Sequence, residues 1–212
     1  MQLIDLTHLI IENMPVYPGT SGPHFITTGS LSESGYEERL ITMQSHTGTH
    51  VDSPAHMVKN GATLDKLELD RFMGKTLLID CSGIAQIGQK HLSSYGDLIA
   101  ECEFVVLNTG WSRYWGREQY FKDFPVLTPE AGQWIGRLNL KGIGVDTVSV
   151  DTVDSKTFLV HKTLLQRNMV ILENLTNLDQ IKQDIFTLCF FPLKIYNADG
   201  SPVRAVALID YH

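Results

Sequence analysis

The 212-residue chain predicts a mixed α/β fold, rich in sheet, in one compact domain. Three observations predict it. Short runs of β-branched and aromatic residues crowd both ends of the sequence, strand and helix signals alternate in its middle, and no repeat, low-complexity tract or linker divides it. A chain of this length can bury roughly 70% of its unfolded surface. Its 43% hydrophobic and 19% charged residues are those of an ordinary packed protein. One domain over residues 1–212 is the simplest organisation.

Strands are expected at Leu3–Leu6, Phe25–Thr28 and Arg39–Gln44 near one end, and at Ile185–Ile195 and Val203–Ile209 near the other. In the middle, Thr76–Asp80 and Phe104–Asn108 read as buried strands. Thr128 can cap a helix that takes Pro129 into its first turn and runs to about Leu138. Gly142–Asp146 reads as the next strand. A short helix over Lys162–Arg167 then leads into Met169–Glu173, an apolar strand that ends in a carboxylate. Two loops have the composition of functional segments. Residues 13–23 are rich in Pro and Gly around Tyr17, and residues 109–125 carry Trp111, Tyr114, Trp115, Tyr120, Phe121 and Phe124. The aromatic loop is either a lid over an aromatic substrate, or a packed excursion or subunit contact.

Charge and cysteine content remove several classes of function. With 17 Lys and Arg against 24 Asp and Glu, the net charge is -7 and no basic cluster offers a footprint for nucleic acid. Cys81, Cys102 and Cys189 are too few and too scattered for a disulfide framework or a thiolate zinc site, so they read as buried small apolar residues. The first residues show no basic and apolar pattern of a signal peptide. The longest apolar stretch, Phe186–Leu193, is far short of the ~20 residues a spanning helix needs. The expectation is a cytoplasmic protein with no membrane or nucleic-acid partner.

Eight histidines occur in the chain, and three of them fall between His46 and His56. The segment reads His46-Thr47-Gly48-Thr49-His50-Val51-Asp52-Ser53-Pro54-Ala55-His56. On a straight strand rising ~3.3 Å per residue, His46 and His50 would stand ~13 Å apart, too far to share an ion. Either a turn through Gly48 or a turn of helix must bring them together. Two imidazoles and the Asp52 carboxylate then form a ligand set suited to a first-row divalent metal, with positions open for water or substrate. Pro54 redirects the chain, so that His56 can face the same centre without ligating it. Farther on, His161 precedes Glu173, whose carboxylate ends an apolar run and must emerge at the sheet edge or meet a cation.

The His46–His56 segment resembles the signature of the cyclase-like metal hydrolases, a family that includes bacterial-type kynurenine formamidases and isatin hydrolases. The resemblance continues through Asn108-Thr109-Gly110-Trp111, Pro125–Ala131, Gly144–Asp151, His161–Leu165, Leu172–Leu178 and Gly200–Ala207, in the family's order over nearly the whole chain. It implies a compact β-rich domain of the swivelling β/β/α type, assembled as a homodimer or larger oligomer whose partner subunit helps line the site. It also implies roles. His46, His50 and Asp52 would hold one metal, Asp52 would bridge to a second held by His161 and Glu173, and His56 would shuttle protons. One or two Zn or Mn ions per chain are expected.

A departure concerns the substrate. Kynurenine formamidases carry Trp in a Pro-Val-Trp-Pro-Gly motif, where this chain has Pro15-Val16-Tyr17-Pro18-Gly19. Tyr17 can still stack on a ring. The resemblance thus implies a hydrolase of a small amide, with an aryl formamide resembling N-formylkynurenine as the leading small-molecule substrate. A cyclic amide such as isatin, a lyase or cyclase reaction on the same site, and an idle metal-binding scaffold are the alternatives. Arg204 is either structural or a ligand for a substrate carboxylate.

Overall fold

The computed structural model describes residues 1–209, so the last three residues of the expected domain lie outside the described residues. Nine strands form its main sheet: β1 (Gln2–Asp5), β2 (His50–Asp52), β3 (Met73–Asp80), β4 (Phe104–Asn108), β5 (Gly142–Val145), β6 (Val170–Glu173), β7 (Ile185–Cys189), β8 (Gly200–Pro202) and β9 (Val206–Ile209). They lie in the order β1-β9-β7-β3-β4-β5-β6-β2-β8. The run β3-β4-β5-β6 is parallel. Every other pairing in the sheet is antiparallel.

The parallel run is apolar because both of its faces are covered. Along β4, Val105 and Leu107 join a core with Leu77, Ile79, Ile143 and Ile171, while Phe104 and Val106 point into a second core. Helices Pro129–Ile135 and Leu159–Leu165 cover the first face, through residues such as Ile135 and Leu164. The sheet itself encloses the second. It curls until the segment after β1 meets the segment after β6, where Thr7 bridges Leu175 and the Thr176 N–H donates to the Leu6 carbonyl.

The fold is thus a single sheet-dominated α/β domain with few helices, as the sequence predicts, and most elements lie within a few residues of their expected bounds. Four differences stand out. The strand expected to reach Ile195 stops at Cys189, ahead of Pro192, which cannot donate to a ladder. The strand expected from Val203 begins at Val206, and a short extra strand, β8, precedes it. The second helix starts at Leu159 rather than Lys162, so His161 lies inside it. Cys189 is only half-buried, unlike Cys81 and Cys102, although all three thiols are free.

Strands His24–Gly29 and Glu38–Thr42 form a separate hairpin that leaves Ile26, Leu40 and Ile41 in solvent. No helix among the described residues is long and apolar enough to cross a membrane.

The pairing of β5 with β6 is close enough to exclude a side chain at Gly142, where an added Cβ would stand 2.5 Å from the Val170 carbonyl oxygen. Gly142→Ala is therefore expected to destabilise the fold by about 1–3 kcal/mol. Denaturant unfolding checks this, and an unchanged midpoint would contradict so tight a contact.

Candidate metal and catalytic site

The site is built at the junction of β2, β6 and β8. Gly48 takes a positive φ of 63°, which lets the chain turn between His46 and the start of β2. The turn brings the two imidazole centroids to 5.1 Å, so the strand–turn alternative is the one adopted. In β2, His50 and Asp52 alternate with the fully buried Val51, which points into the core. The antiparallel register with β6 sets Glu173 opposite His50. Pro54 then opens a single 3-10 turn, Pro54–His56, that returns His56 toward the same centre. Its ring centroid lies 4.0 Å from that of His46.

All six residues expected to carry the chemistry meet here. His46 Nδ1 lies 2.7 Å from Asp52 Oδ1, and His50 Nε2 lies 3.3 Å from that oxygen and 3.4 Å from Glu173 Oε2. His161 Nε2 lies 3.2 Å from Glu173 Oε1 and 3.7 Å from Asp52 Oδ2. Ligand atoms of His46, His50 and Asp52 fall within 4.8 Å of one another, as do those of Asp52, His161 and Glu173. Asp52 belongs to both groups.

The imidazoles share a pattern. Each has one ring nitrogen directed at the carboxylates and the other tied outward. His50 Nδ1 is 2.9 Å from the Gly48 carbonyl oxygen, His161 Nδ1 is 2.7 Å from Asp151 Oδ2, and His46 Nε2 is 2.9 Å from Asp199 Oδ2. An acceptor on the outer nitrogen fixes the tautomer and frees the inner nitrogen as a ligand. Asp52 Oδ2 and Glu173 Oε1 are buried without a hydrogen-bond partner. A buried charged acceptor left in that state is costly, and a cation between the two carboxylates removes the cost. The donor set fits a divalent metal.

Electrostatics of the protein alone agree. Burial disfavours the imidazolium of His46, but Asp52 and hydrogen bonds to Asp199 and Asp52 outweigh it and push its pKa up to about 9. Burial likewise opposes charge on His50 and His161. The facing Asp52 and Glu173 carboxylates lift His50 to about 10, and those of Asp151 and Glu173 lift His161 to about 10. For Asp52 and Glu173 burial works against ionisation, and the facing imidazoles still hold both below the usual carboxylate range.

Two carboxylates were not singled out by the sequence reading. Asp151 receives the Val160 and His161 N–H groups at 3.1 and 2.9 Å, and this remote cap is why the helix begins early. Asp199 precedes β8 and contacts both His46 and His56. The quoted blocks Gly144–Asp151 and Gly200–Ala207 included or adjoined them, but each stands alone in sequence.

A cavity of about 250 Å³ opens onto the histidines, and Tyr17, Trp115, Tyr120, Phe121 and Phe158 form part of its wall. The Tyr17 ring lines it while its hydroxyl donates to the Val153 carbonyl at 3.2 Å. The aromatic loop is a packed excursion and also the cavity's wall. Trp115 stacks on His8 with centroids 3.9 Å apart, and the Tyr120 hydroxyl donates to Asn174 Oδ1 at 2.7 Å. Arg204 is elsewhere: it is exposed and pairs with Asp5 at 2.7 and 2.8 Å, the structural role of its two alternatives.

Residues 4–152 match the Cyclase family model. A kynurenine formamidase from Bacillus cereus is 32% identical over 204 residues, which are 96% of this chain and 95% of that one. A kynurenine formamidase from Geobacillus thermodenitrificans is 32% identical over 95% of each chain. Among solved structures, isatin hydrolase A from Labrenzia aggregata, bound to benzyl benzoate, aligns with a TM-score of 0.87 at 26% identity, over 99% of this chain and 94% of that one.

The raised imidazoles give metal-free protein a pH signature. Their stabilisation is complete below the unfolded value of 6.5 and is lost as pH rises through about 9 to 10. Asp52 and Glu173 act in the opposite sense, contributing above 3.8 and 4.5 and losing that contribution on acidification. The melting temperature of metal-free protein is expected to fall as pH is raised from about 7 to about 10. A flat or rising profile would contradict the ion-pair cluster.

Proposed function

The chain belongs to the Cyclase family, and from that premise we propose that it is a metal-dependent hydrolase of a small amide, with an aryl formamide of the N-formylkynurenine type as leading substrate. The observation that carries this reading is the pair of orphaned carboxylate oxygens among inward-facing imidazoles at the foot of an aromatic cavity. His46, His50 and Asp52 would hold one divalent ion, and Asp52, His161 and Glu173 a second. Zinc or manganese suits this mixture of nitrogen and oxygen donors. Such an ion supplies Lewis acidity, acidifying water toward neutral pH and polarising a carbonyl.

The remaining chemistry belongs to the chain. His56 lines the cavity beside the metal ligands without being needed as one, and takes the proton from the attacking water. It returns that proton to the leaving nitrogen, because an amine departs poorly as an anion. Tyr17, Trp115 and Phe121 offer ring faces to an aromatic acyl or amine group. Likeness in fold to isatin hydrolase A supports a cyclic amide as the second reading, with the same residues in the same roles.

We assign the whole chain, 1–212, to one catalytic domain and place it in the cytoplasm, in keeping with three free thiols. A homodimer is supported by the hairpin, because a two-stranded hairpin with apolar residues in water is stable only when something packs on it. Sedimentation should therefore report a dimer, and Ile26→Lys with Leu40→Glu should shift it toward monomer.

The decisive experiment measures metal content and turnover of N-formylkynurenine and isatin together. His56→Ala is expected to keep its metal and lose activity by roughly 10²- to 10⁴-fold. Full activity in that variant would remove His56 from the mechanism. Failure to take up zinc or manganese in the unaltered protein would remove the hydrolase reading itself and leave nothing for a proton shuttle to serve.

A further inference from the structure

We infer that Asp199 is a positioning residue whose single carboxylate oxygen sets the orientation of His56 relative to His46. The inference rests on the hydrolase reading for its catalytic meaning, and on geometry for its existence. Oδ2 of Asp199 lies 2.9 Å from His46 Nε2 and 3.4 Å from His56 Nδ1. Both contacts require a proton on the ring nitrogen, since an ionised carboxylate only accepts. By the same argument His46 Nδ1, 2.7 Å from Asp52 Oδ1, carries a proton in the metal-free protein, and it is this proton that a bound ion would replace. His56 is held as the Nδ1–H form, which leaves Nε2 as the basic nitrogen on a ring that lines the cavity.

The backbone around Asp199 is fixed for this task. Its carbonyl accepts the Ser53 N–H at 2.9 Å and the Ser53 hydroxyl at 3.0 Å, so Asp199 is tied to the residue between Asp52 and the His56 turn. Gly200 permits the approach: an added Cβ there would stand 2.6 Å from His46 Cε1. His56 by contrast sits on a three-residue turn with a side chain 24% exposed, and its ring lies tilted at 40° against His46 rather than locked in a core. Among the described residues Asp199 makes the one hydrogen bond found to the His56 ring. Removing that acceptor frees the ring to rotate and to carry its proton on either nitrogen.

Two measurements on zinc-loaded protein test this. Nitrogen-15 NMR of the imidazoles needs no substrate: His56 should be Nδ1-protonated in the unaltered protein and should shift toward the Nε2–H form in Asp199→Ala. In kinetics, Asp199→Ala should lower kcat by about 10- to 100-fold with little change in KM, and should cost less than about threefold more when His56 is already Ala. Asp199→Asn keeps the shape and one acceptor oxygen. It is expected to fold, load zinc, retain the Nδ1–H form and keep most of kcat. An unchanged His56 tautomer in Asp199→Ala overturns the assignment. So do losses that multiply in the double variant, or a fully loaded Asp199→Asn as inactive as His56→Ala. If no amide is turned over by the unaltered protein, the hydrolase reading fails, and the NMR result still decides the role of Asp199.

Discussion

Two carboxylates on neighbouring strands, Asp52 and Glu173, are almost wholly removed from water, and the rest of the site follows from that fact. Burying two negative charges side by side is unfavourable unless positive charge lies between or around them. Three imidazoles supply it in the protein alone, and a divalent cation supplies it in the functional reading. The sheet makes the arrangement rigid. The antiparallel register of β2 and β6 leaves no freedom in the spacing of His50, Asp52 and Glu173, while Val51 and Leu172 anchor both strands in the core beneath.

Around that pair the protein uses the same device three times. An acceptor behind each imidazole, whether the Gly48 carbonyl, Asp151 or Asp199, decides which nitrogen faces inward. The Gly48 carbonyl is itself held by the Asn174 amide, and Asn174 accepts the hydroxyl of Tyr120. The wall of the cavity and the ligands at its foot are therefore parts of one hydrogen-bonded assembly. Tyr120 of the aromatic loop is thus linked to His50 through Asn174 and the Gly48 carbonyl.

Much of this was legible in the sequence, for local reasons. The density of histidine between His46 and His56, with Gly48 at the turn and Pro54 at the exit, points to convergence before any fold is known. The apolar run ending in Glu173 sets a carboxylate that must either reach the sheet edge or meet a cation. The parallel strands are visible because burial on both faces forces them to be apolar throughout. What stayed hidden depends on distance in the chain. Asp151 caps a helix that starts eight residues later, so its side chain gives no local N-cap signal and the helix start was placed too late. Asp199 lies in a loop segment of no marked pattern and acquires its partners only when β8 pairs with β2. The hairpin's strands were readable, but their exposure was not, since alternation does not say whether a core exists to receive one face.

The strand order has a consequence for how the protein is made. β2 is synthesised early, yet both of its neighbours, β6 and β8, come from the last part of the chain. On a ribosome that delivers the chain from its N-terminus, His46, His50 and Asp52 wait, unpaired, for most of translation. A nascent chain thus presents a loose chelating loop and acquires a defined coordination environment only when Glu173 and the strand after Asp199 have emerged. Any preference for one divalent ion over another would therefore belong to the finished molecule and not to the nascent segment.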